Sequence, residues 1–138
     1  MREKSLEYKK LIEAVEKIKS GYKVVAAILF GSRARGDFKP WSDYDLLVIA
    51  DFKERYLDRI TNLLEVISDV KLNIELHPYT LDEAVEMLRK GNLTLVDALS
   101  EGVILYQNED FNILRSTYKE LVKRGLKKTN TTVIVPYP

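Results

Sequence analysis

Two aspartates, Asp43 and Asp45, stand two positions apart at the head of the apolar segment 46–50. Residues i and i+2 of a β-strand project from the same face, which places the two Cα atoms about 6–7 Å apart. Carboxylates ~5 Å apart repel by roughly 3 kcal/mol at an effective dielectric near 20. A Mg²⁺ ion relieves this repulsion, because it takes carboxylate oxygens as ligands. The pair predicts a metal site; the alternative is a loop cap at Asp43 and an ion pair from Asp45 to Arg33.

A second chemically informative group lies where the apolar segment 24–30 ends at Gly31 and Ser32. Backbone N–H groups at such a turn favour an anion, most simply a phosphate, if a helical turn begins there. Arg33 and Arg35 follow, and their fork-shaped guanidinium groups suit phosphate oxygens. The segment therefore predicts a phosphate-binding turn; the alternative is an ordinary glycine turn with solvated arginines.

The composition limits the classes of protein that these groups can serve. The chain has 138 residues, and we expect one domain over residues 1–126 followed by a C-terminal tail, 127–138. A net charge of +1 provides no overall field for a polyanion, so a nucleic-acid partner is not favoured. Zero cysteines and a single histidine exclude disulfides, thiolate zinc sites and multi-histidine metal sites. A charged amino terminus and the lack of a long apolar run predict a cytoplasmic protein without a membrane span.

Hydrophobic periodicity predicts the elements that position the site. Strands are expected at residues 24–30, 44–50, 71–79 and 103–106. Helices are expected at residues 8–21, 51–67, 80–90, 94–101 and 111–125. The helix starting at Asp51 is assigned an apolar stripe, and the helix at residue 80 a capping box of Thr80 and Glu83. The stripe consists of Leu57, Ile60, Leu64 and Ile67.

Helices and strands alternate, so an α/β domain of two or three layers is expected. Connection lengths leave open whether its sheet is parallel or mixed. The β-branched residues 133–135 in the tail predict docking on an open sheet edge, of the same domain or of a second copy in a homo-oligomer. The alternative is a frayed terminus.

Gly31-Ser32, a ten-residue spacer and Asp43-Tyr44-Asp45, each half attached to an apolar strand, form one combined pattern. Over roughly residues 23–78 this pattern resembles the minimal nucleotidyltransferases of the DNA polymerase β superfamily. The resemblance implies an α/β (α+β) nucleotidyltransferase fold with a mixed β-sheet flanked by helices. It also implies a nucleoside triphosphate at the Gly-Ser turn and two Mg²⁺ ions on three carboxylates.

By position, Asp43 and Asp45 match the first two metal carboxylates of the family, and Glu75 is the best match to the third because it is the carboxylate inside a later strand. The expected catalytic and metal-binding residues are Asp43, Asp45 and Glu75. The expected nucleotide-binding residues are Gly31, Ser32, Arg33 and Arg35. His77 shares the polar strand face with Glu75; a hydrogen-bonding role is favoured over a catalytic one.

The resemblance thus implies a Mg²⁺-dependent nucleotidyltransferase that moves AMP from ATP to a hydroxyl group. The expected acceptor is a Tyr, Ser or Thr of a partner protein. Family members of this size look like the antitoxin half of a toxin-antitoxin module with a HEPN-type helical toxin. The alternative function is a non-catalytic nucleotide-binding module that acts as an antitoxin or regulatory partner.

Overall fold

A computed structural model describes residues 5–129 and 132–136; the outer ends of the domain and tail predicted above, 1–4 and 137–138, lie outside it. Every strand and helix expected from periodicity is present, with different bounds in some cases. The elements are α1 (Leu6–Gly21), β1 (Val24–Phe30), α2 (Ser32–Arg35), β2 (Tyr44–Ala50), α3 (Tyr56–Val66), β3 (Ile74–Tyr79), α4 (Leu81–Arg89), α5 (Leu93–Glu101), β4 (Val103–Gln107), α6 (Phe111–Lys123), β5 (Lys127–Lys128) and β6 (Val133–Ile134).

The main sheet has the strand order β3-β2-β1-β4 and is mixed, which settles the geometry that connection lengths left open. Strand β1 is antiparallel to both β2 and β4. Strands β2 and β3 are parallel, and α3 forms the crossover between them. The expected mixed sheet flanked by helices is therefore confirmed.

Helices cover both faces of this sheet and make a three-layer domain. Leu47 and Ile49 of β2 face a core shared with α4, α5 and α6. Leu46 and Val48 alternate to the other face and pack with residues of α1 and α3. Burial on both faces explains why β1 and β2 are almost unbroken apolar runs. None of the helices in the described residues has the length and apolar content that a membrane span requires.

The start and the buried face predicted for α3 are wrong. The helix begins at Tyr56 rather than Asp51, because the intervening segment is held as a loop by the burial of Phe52 against Tyr22, with ring centroids 5.1 Å apart. Leu57 is 74% exposed and Leu64 is also exposed, so half of the predicted stripe faces outward. Ile67 is buried as predicted, and Leu63, which lies outside the predicted stripe, is buried as well.

Arg59 lies on the buried face of α3, beside Leu63, although it is outside the predicted apolar stripe. It is 7% exposed, and its guanidinium forms two hydrogen bonds with the Glu83 carboxylate, at 2.7 and 3.2 Å. It also donates to the carbonyl oxygens of Glu54 and Pro78, at 3.0 and 3.3 Å. Glu83 in turn completes the predicted capping box with Thr80. One ion pair therefore joins α3 to the start of α4.

The tail does not add to an edge of the main sheet. Its described residues form a hairpin of their own, in which β5 and β6 are antiparallel, and Val133 packs on the core beneath α4, α5 and α6. A Cβ on Gly91 would clash with the side chain of Val135. The hairpin can therefore pack at this position because Gly91 has no side chain. The expectation that the tail docks holds for these residues, but on a different surface from the one expected.

We expect Arg59→Met to lower the free energy of unfolding by about 2–3 kcal/mol, because it leaves Glu83 without its cationic partner. The side chain of Glu83 is 44% exposed, which keeps the loss near the lower end of the range for broken buried pairs. Arg55→Met, at the exposed residue before α3, should change stability by less than ~0.5 kcal/mol. Urea unfolding followed by circular dichroism measures both. Equal midpoints in the two variants would contradict this account of α3.

Candidate active site

Three strands bring the predicted site residues to one edge of the sheet. Because β1 and β2 are antiparallel, the end of β1 lies beside the beginning of β2, and the beginning of β3 lies next to it. Phe30, Asp45 and Glu75 are register partners across β1, β2 and β3. Parallel pairing of β2 with β3 thus places two predicted metal carboxylates side by side.

Asp45, Glu75 and His77 form a compact cluster whose metal-ligating atoms all lie within 4.8 Å of one another. The Nε2 atom of His77 is 3.3 Å from Asp45 Oδ1. The Phe30 ring contacts the His77 ring edge-on, with centroids 4.9 Å apart, and fixes its position. Carboxylate oxygens and an imidazole nitrogen are common ligands of divalent cations, so the chemistry of this donor set fits a metal ion.

Asp43 lies outside this cluster. It precedes β2, its side chain is exposed, and its charge is one of those that raise the pKa of Glu75. The structure therefore brings Asp45 and Glu75 together, leaves Asp43 at the rim and adds His77. The hydrogen-bonding role favoured for His77 matches its contact with Asp45.

The two clustered carboxylates do not titrate alike. A hydrogen bond with Asp45 raises the pKa of Glu75, and burial and the charge of Asp45 act in the same direction. For Asp45, burial raises the pKa, but hydrogen bonds from His77 and Glu75 outweigh it and leave the pKa lowered. Of the two carboxylates, Glu75 therefore has the higher affinity for a proton. A cation that binds both groups competes with protonation of Glu75.

Gly31 is required by both its backbone conformation and its neighbour. Its φ is +75°, and a Cβ there would lie 2.5 Å from Asp45 Oδ2. The turn leads directly into the four-residue helix α2, which meets the condition set for an anion site by the sequence. The first amides of a helix have no carbonyl partner within it, so those of Ser32 and Arg33 are available to an anion. The Gly31 N–H itself donates to Asp97 Oδ2 at 3.2 Å.

The two arginines after the turn point to different places. Arg35 contacts Asp97 through Nη1 at 3.2 Å and lines the cavity at the Gly31 turn. Arg33 donates to the carbonyl oxygens of Ser42 and Pro40, at 3.1 and 3.3 Å. Its guanidinium also stacks on the rings of Phe38 and Tyr44. Arg33 thus braces the loop that carries Asp43, and it does not pair with Asp45 in these contacts.

Four charged residues that were not predicted as site residues also line this cavity: Asp37, Asp97, Glu101 and Lys128. Asp97 of α5 is 7% exposed and binds Gly31, Arg35 and Lys128. Glu101 of α5 also contacts Lys128, at 3.0 Å. Asp97 does leave a signal, because it is the lone acid in the apolar stretch 93–99. Lys128 leaves no such signal in the sequence, because it lies in a basic run past the last helix.

The cavity measures about 690 Å³ and opens beside the metal-ligating cluster. Its lining combines the Gly31 turn, the near end of β2, the outer face of α5 and the start of the hairpin. The lining residues are Phe30, Gly31, Ser32, Arg35, Asp37, Asp45, Leu93, Thr94, Asp97, Glu101, Lys128 and Thr129.

A glycine turn and a carboxylate cluster at one end of a mixed, helix-flanked sheet define a nucleotidyltransferase fold. The family described as the nucleotidyltransferase domain matches residues 8–105, which include the cluster, the turn and Asp97. The match covers more than half of the chain. The chain belongs to the nucleotidyltransferase domain family.

Individual relatives are consistent with this assignment. The chain is 30% identical over 115 residues to the putative protein adenylyltransferase MJ1305 of Methanocaldococcus jannaschii, covering 81% of this chain and 76% of that protein. It is 34% identical over 79 residues to the bifunctional uridylyltransferase/uridylyl-removing enzyme of Pseudomonas entomophila. That match covers 56% of this chain but spans only 9% of the length of the enzyme.

The fold also recurs in solved structures. One describes a tri-AMPylated Shewanella oneidensis HEPN toxin in complex with an MNT antitoxin. A chain of that complex matches with a TM-score of 0.50 and 17% identity, covering 86% of this chain and 92% of that chain. At this identity, the likeness establishes the shared fold alone.

We expect Glu75→Gln to stabilise the metal-free protein at neutral pH. The pKa of Glu75 is raised from its ordinary value of 4.5, so its contribution to stability is present below that value and is lost as pH rises through the folded-state pKa. A glutamine amide can donate to Asp45 at every pH. The stability of the variant should therefore exceed that of the parent protein near pH 8 and approach it near pH 4.

Urea midpoints in the presence of a chelator measure this difference at both pH values. Glu13→Gln, at an exposed position of α1, is the matched control and should show no such pH-dependent gap. A Glu75→Gln variant that is less stable than the parent protein at both pH values would contradict a raised pKa at Glu75.

Proposed function

We propose that this chain is a metal-dependent nucleotidyltransferase that transfers AMP from ATP to a hydroxyl group of a partner protein. The observation that carries the proposal is the placement of Asp45 beside Glu75 at the strand end that adjoins the Gly31 turn. Carboxylates held this close bind divalent cations well, and the turn next to them offers free amides. The triphosphate and the metal ions would therefore bind next to each other.

We assign the metal ligands to Asp43, Asp45 and Glu75, with two Mg²⁺ ions as the expected occupants. Asp45 is positioned for this role by His77 and Phe30, and Asp43, two residues earlier in the chain, is exposed to solvent. Bound ions would lower the pKa of the attacking hydroxyl and neutralise charge on the leaving group.

The reaction is an in-line displacement at the α-phosphorus. The acceptor oxygen forms a bond to phosphorus while the bond to the bridging oxygen breaks and pyrophosphate leaves. Glu75 either completes the metal ligand set or accepts the hydroxyl proton, and its raised pKa suits the second role. The amides after Gly31, the Ser32 hydroxyl and Arg35 hold the phosphate oxygens.

Arg33 is the predicted nucleotide ligand with the least support. Its guanidinium contacts residues 38–44, and it lines a different depression, together with Trp41 and Tyr44. We propose that Arg33 contributes by fixing the loop that carries Asp43, with direct phosphate binding left to Arg35.

The charge of the cavity supports a requirement for metal. Its lining carries two cations, Arg35 and Lys128, against four carboxylates, those of Asp37, Asp45, Asp97 and Glu101. A triphosphate would be repelled by this net negative charge unless cations entered with it. Nucleotide binding should therefore depend on a divalent ion, and chelation should abolish it.

The choice of nucleotide and acceptor rests on the relatives. MJ1305 is described as a protein adenylyltransferase, and the matched toxin-antitoxin complex contains a tri-AMPylated HEPN toxin. These descriptions favour ATP as the donor and a helical HEPN-type protein as the acceptor.

Purified chain with Mg²⁺ should transfer label from α-labelled ATP, and not from γ-labelled ATP, to a protein of a native extract. Asp43→Asn and Asp45→Asn should each reduce incorporation by about 100-fold or more, because each removes a metal carboxylate. Asp51→Asn, at the exposed far end of β2, is the matched control and should retain full activity.

Label that also comes from γ-labelled ATP would indicate phosphoryl transfer and contradict the proposal. ATP binding by calorimetry without any incorporation would favour the alternative function, a non-catalytic nucleotide-binding module that masks its partner.

A further inference from the structure

The C-terminal hairpin reaches the nucleotide cavity, although it lies outside the matched family domain. The domain match ends at residue 105, whereas β5 begins at Lys127. The side chain of Lys128 is 19% exposed and lines the same cavity as Gly31, Ser32 and Arg35. The last residues of the described fold thus add a cation to a site built from β1, β2 and α5.

Two carboxylates of α5 hold Lys128 in place. Its Nζ atom is 2.5 Å from Asp97 Oδ1 and 3.0 Å from Glu101 Oε1. Asp97 is also bound by Arg35 and by the Gly31 N–H, so a single buried carboxylate joins the hairpin to the phosphate-binding turn. An ammonium group has three N–H donors, and these two contacts use two of them.

Packing of the hairpin against Gly91 fixes the position of Lys128. The hairpin rests on Gly91, where a Cβ would overlap Val135 and come within 3.3 Å of Val133 Cγ1. Successive strand residues face opposite sides, so Lys127 projects away from the cavity, and it is exposed. Only one of two adjacent lysines is therefore aimed at the site.

We propose that Lys128 is a ligand for the β- and γ-phosphates of the nucleotide, so that the C-terminal hairpin completes the triphosphate site. This inference rests on the proposed function and adds a residue to it. Asp97 keeps Arg35 and the Gly31 N–H as partners when the ammonium turns toward phosphate oxygens. The carboxylates of α5 hold Lys128 in position until a triphosphate with its metal ions enters.

The test measures binding of α,β-methylene ATP and of AMP by calorimetry in the presence of Mg²⁺. Lys128→Met should weaken binding of the triphosphate analogue by about 10- to 100-fold, the loss typical of one charge-assisted hydrogen bond. Affinity for AMP should change less than about threefold, because AMP lacks the β- and γ-phosphates. Lys128→Arg should retain most of the affinity for the analogue.

Lys127→Met is the matched control, since it removes the same charge from the neighbouring exposed position. It should bind both ligands like the parent protein. An equal loss in the two methionine variants, or an equal loss for AMP and the triphosphate analogue, would overturn the assignment in favour of a purely structural lysine.

A second measurement uses the unaltered chain and does not depend on how a variant folds. Amine acetylation followed by mass spectrometry should show Lys128 protected by Mg²⁺ and the triphosphate analogue, but not by Mg²⁺ and AMP, with Lys127 unaffected. Binding of the analogue without protection of Lys128 would refute this inference and leave the proposed function standing. A parent protein that binds no triphosphate would refute both.

Discussion

The close approach of two carboxylates, Asp45 and Glu75, is the constraint on which the rest of the structure depends. Parallel pairing of β2 and β3 puts them in register, and α3 must cross over the sheet to make that pairing. Gly31 must lack a side chain because Asp45 occupies the space beside it. In the metal-free protein, His77 bonds to Asp45, and the hydrogen bond and charge of Asp45 raise the pKa of Glu75. The two carboxylates repel each other in the resting state, and bound cations relieve that repulsion.

Asp97 has the complementary role on the phosphate side of the cavity. Asp97 is an anion beside the site proposed for an anionic ligand. This placement is tolerated because three partners donate hydrogen bonds to its carboxylate. Gly31 and Arg35 of the phosphate-binding turn and Lys128 of the C-terminal hairpin converge on this one carboxylate. Asp97 thus holds donors in place before any ligand arrives, and it reduces the reorganisation that binding would otherwise require.

Local signals predict much of this fold, and distant partners account for what they miss. The run VVAAILF and the Thr80 capping box need only neighbouring residues, and both are correct. The side-by-side placement of Asp45 and Glu75 needs the strand pairing, which connection lengths do not specify. Asp97 and Lys128 lie 66 and 31 residues from the contacts that give them a role, so composition alone does not distinguish them. The apolar stripe predicted for α3 is partly wrong because a charged residue, Arg59, lies on the buried face. Its charge is balanced by Glu83, which is 24 residues away.

The Arg59 to Glu83 pair also affects how the domain responds to heat. Hydration of charged groups has a strongly negative entropy, so the cost of removing an ion pair from water falls as temperature rises. Hydrophobic stabilisation per unit area levels off over the same range. The share of stability supplied by this pair therefore grows on warming, at the junction of the crossover helix and the helix that follows β3. The ion pair thus ties the crossover that keeps β3 beside β2 to the next helix by a contact whose desolvation cost falls as the domain warms.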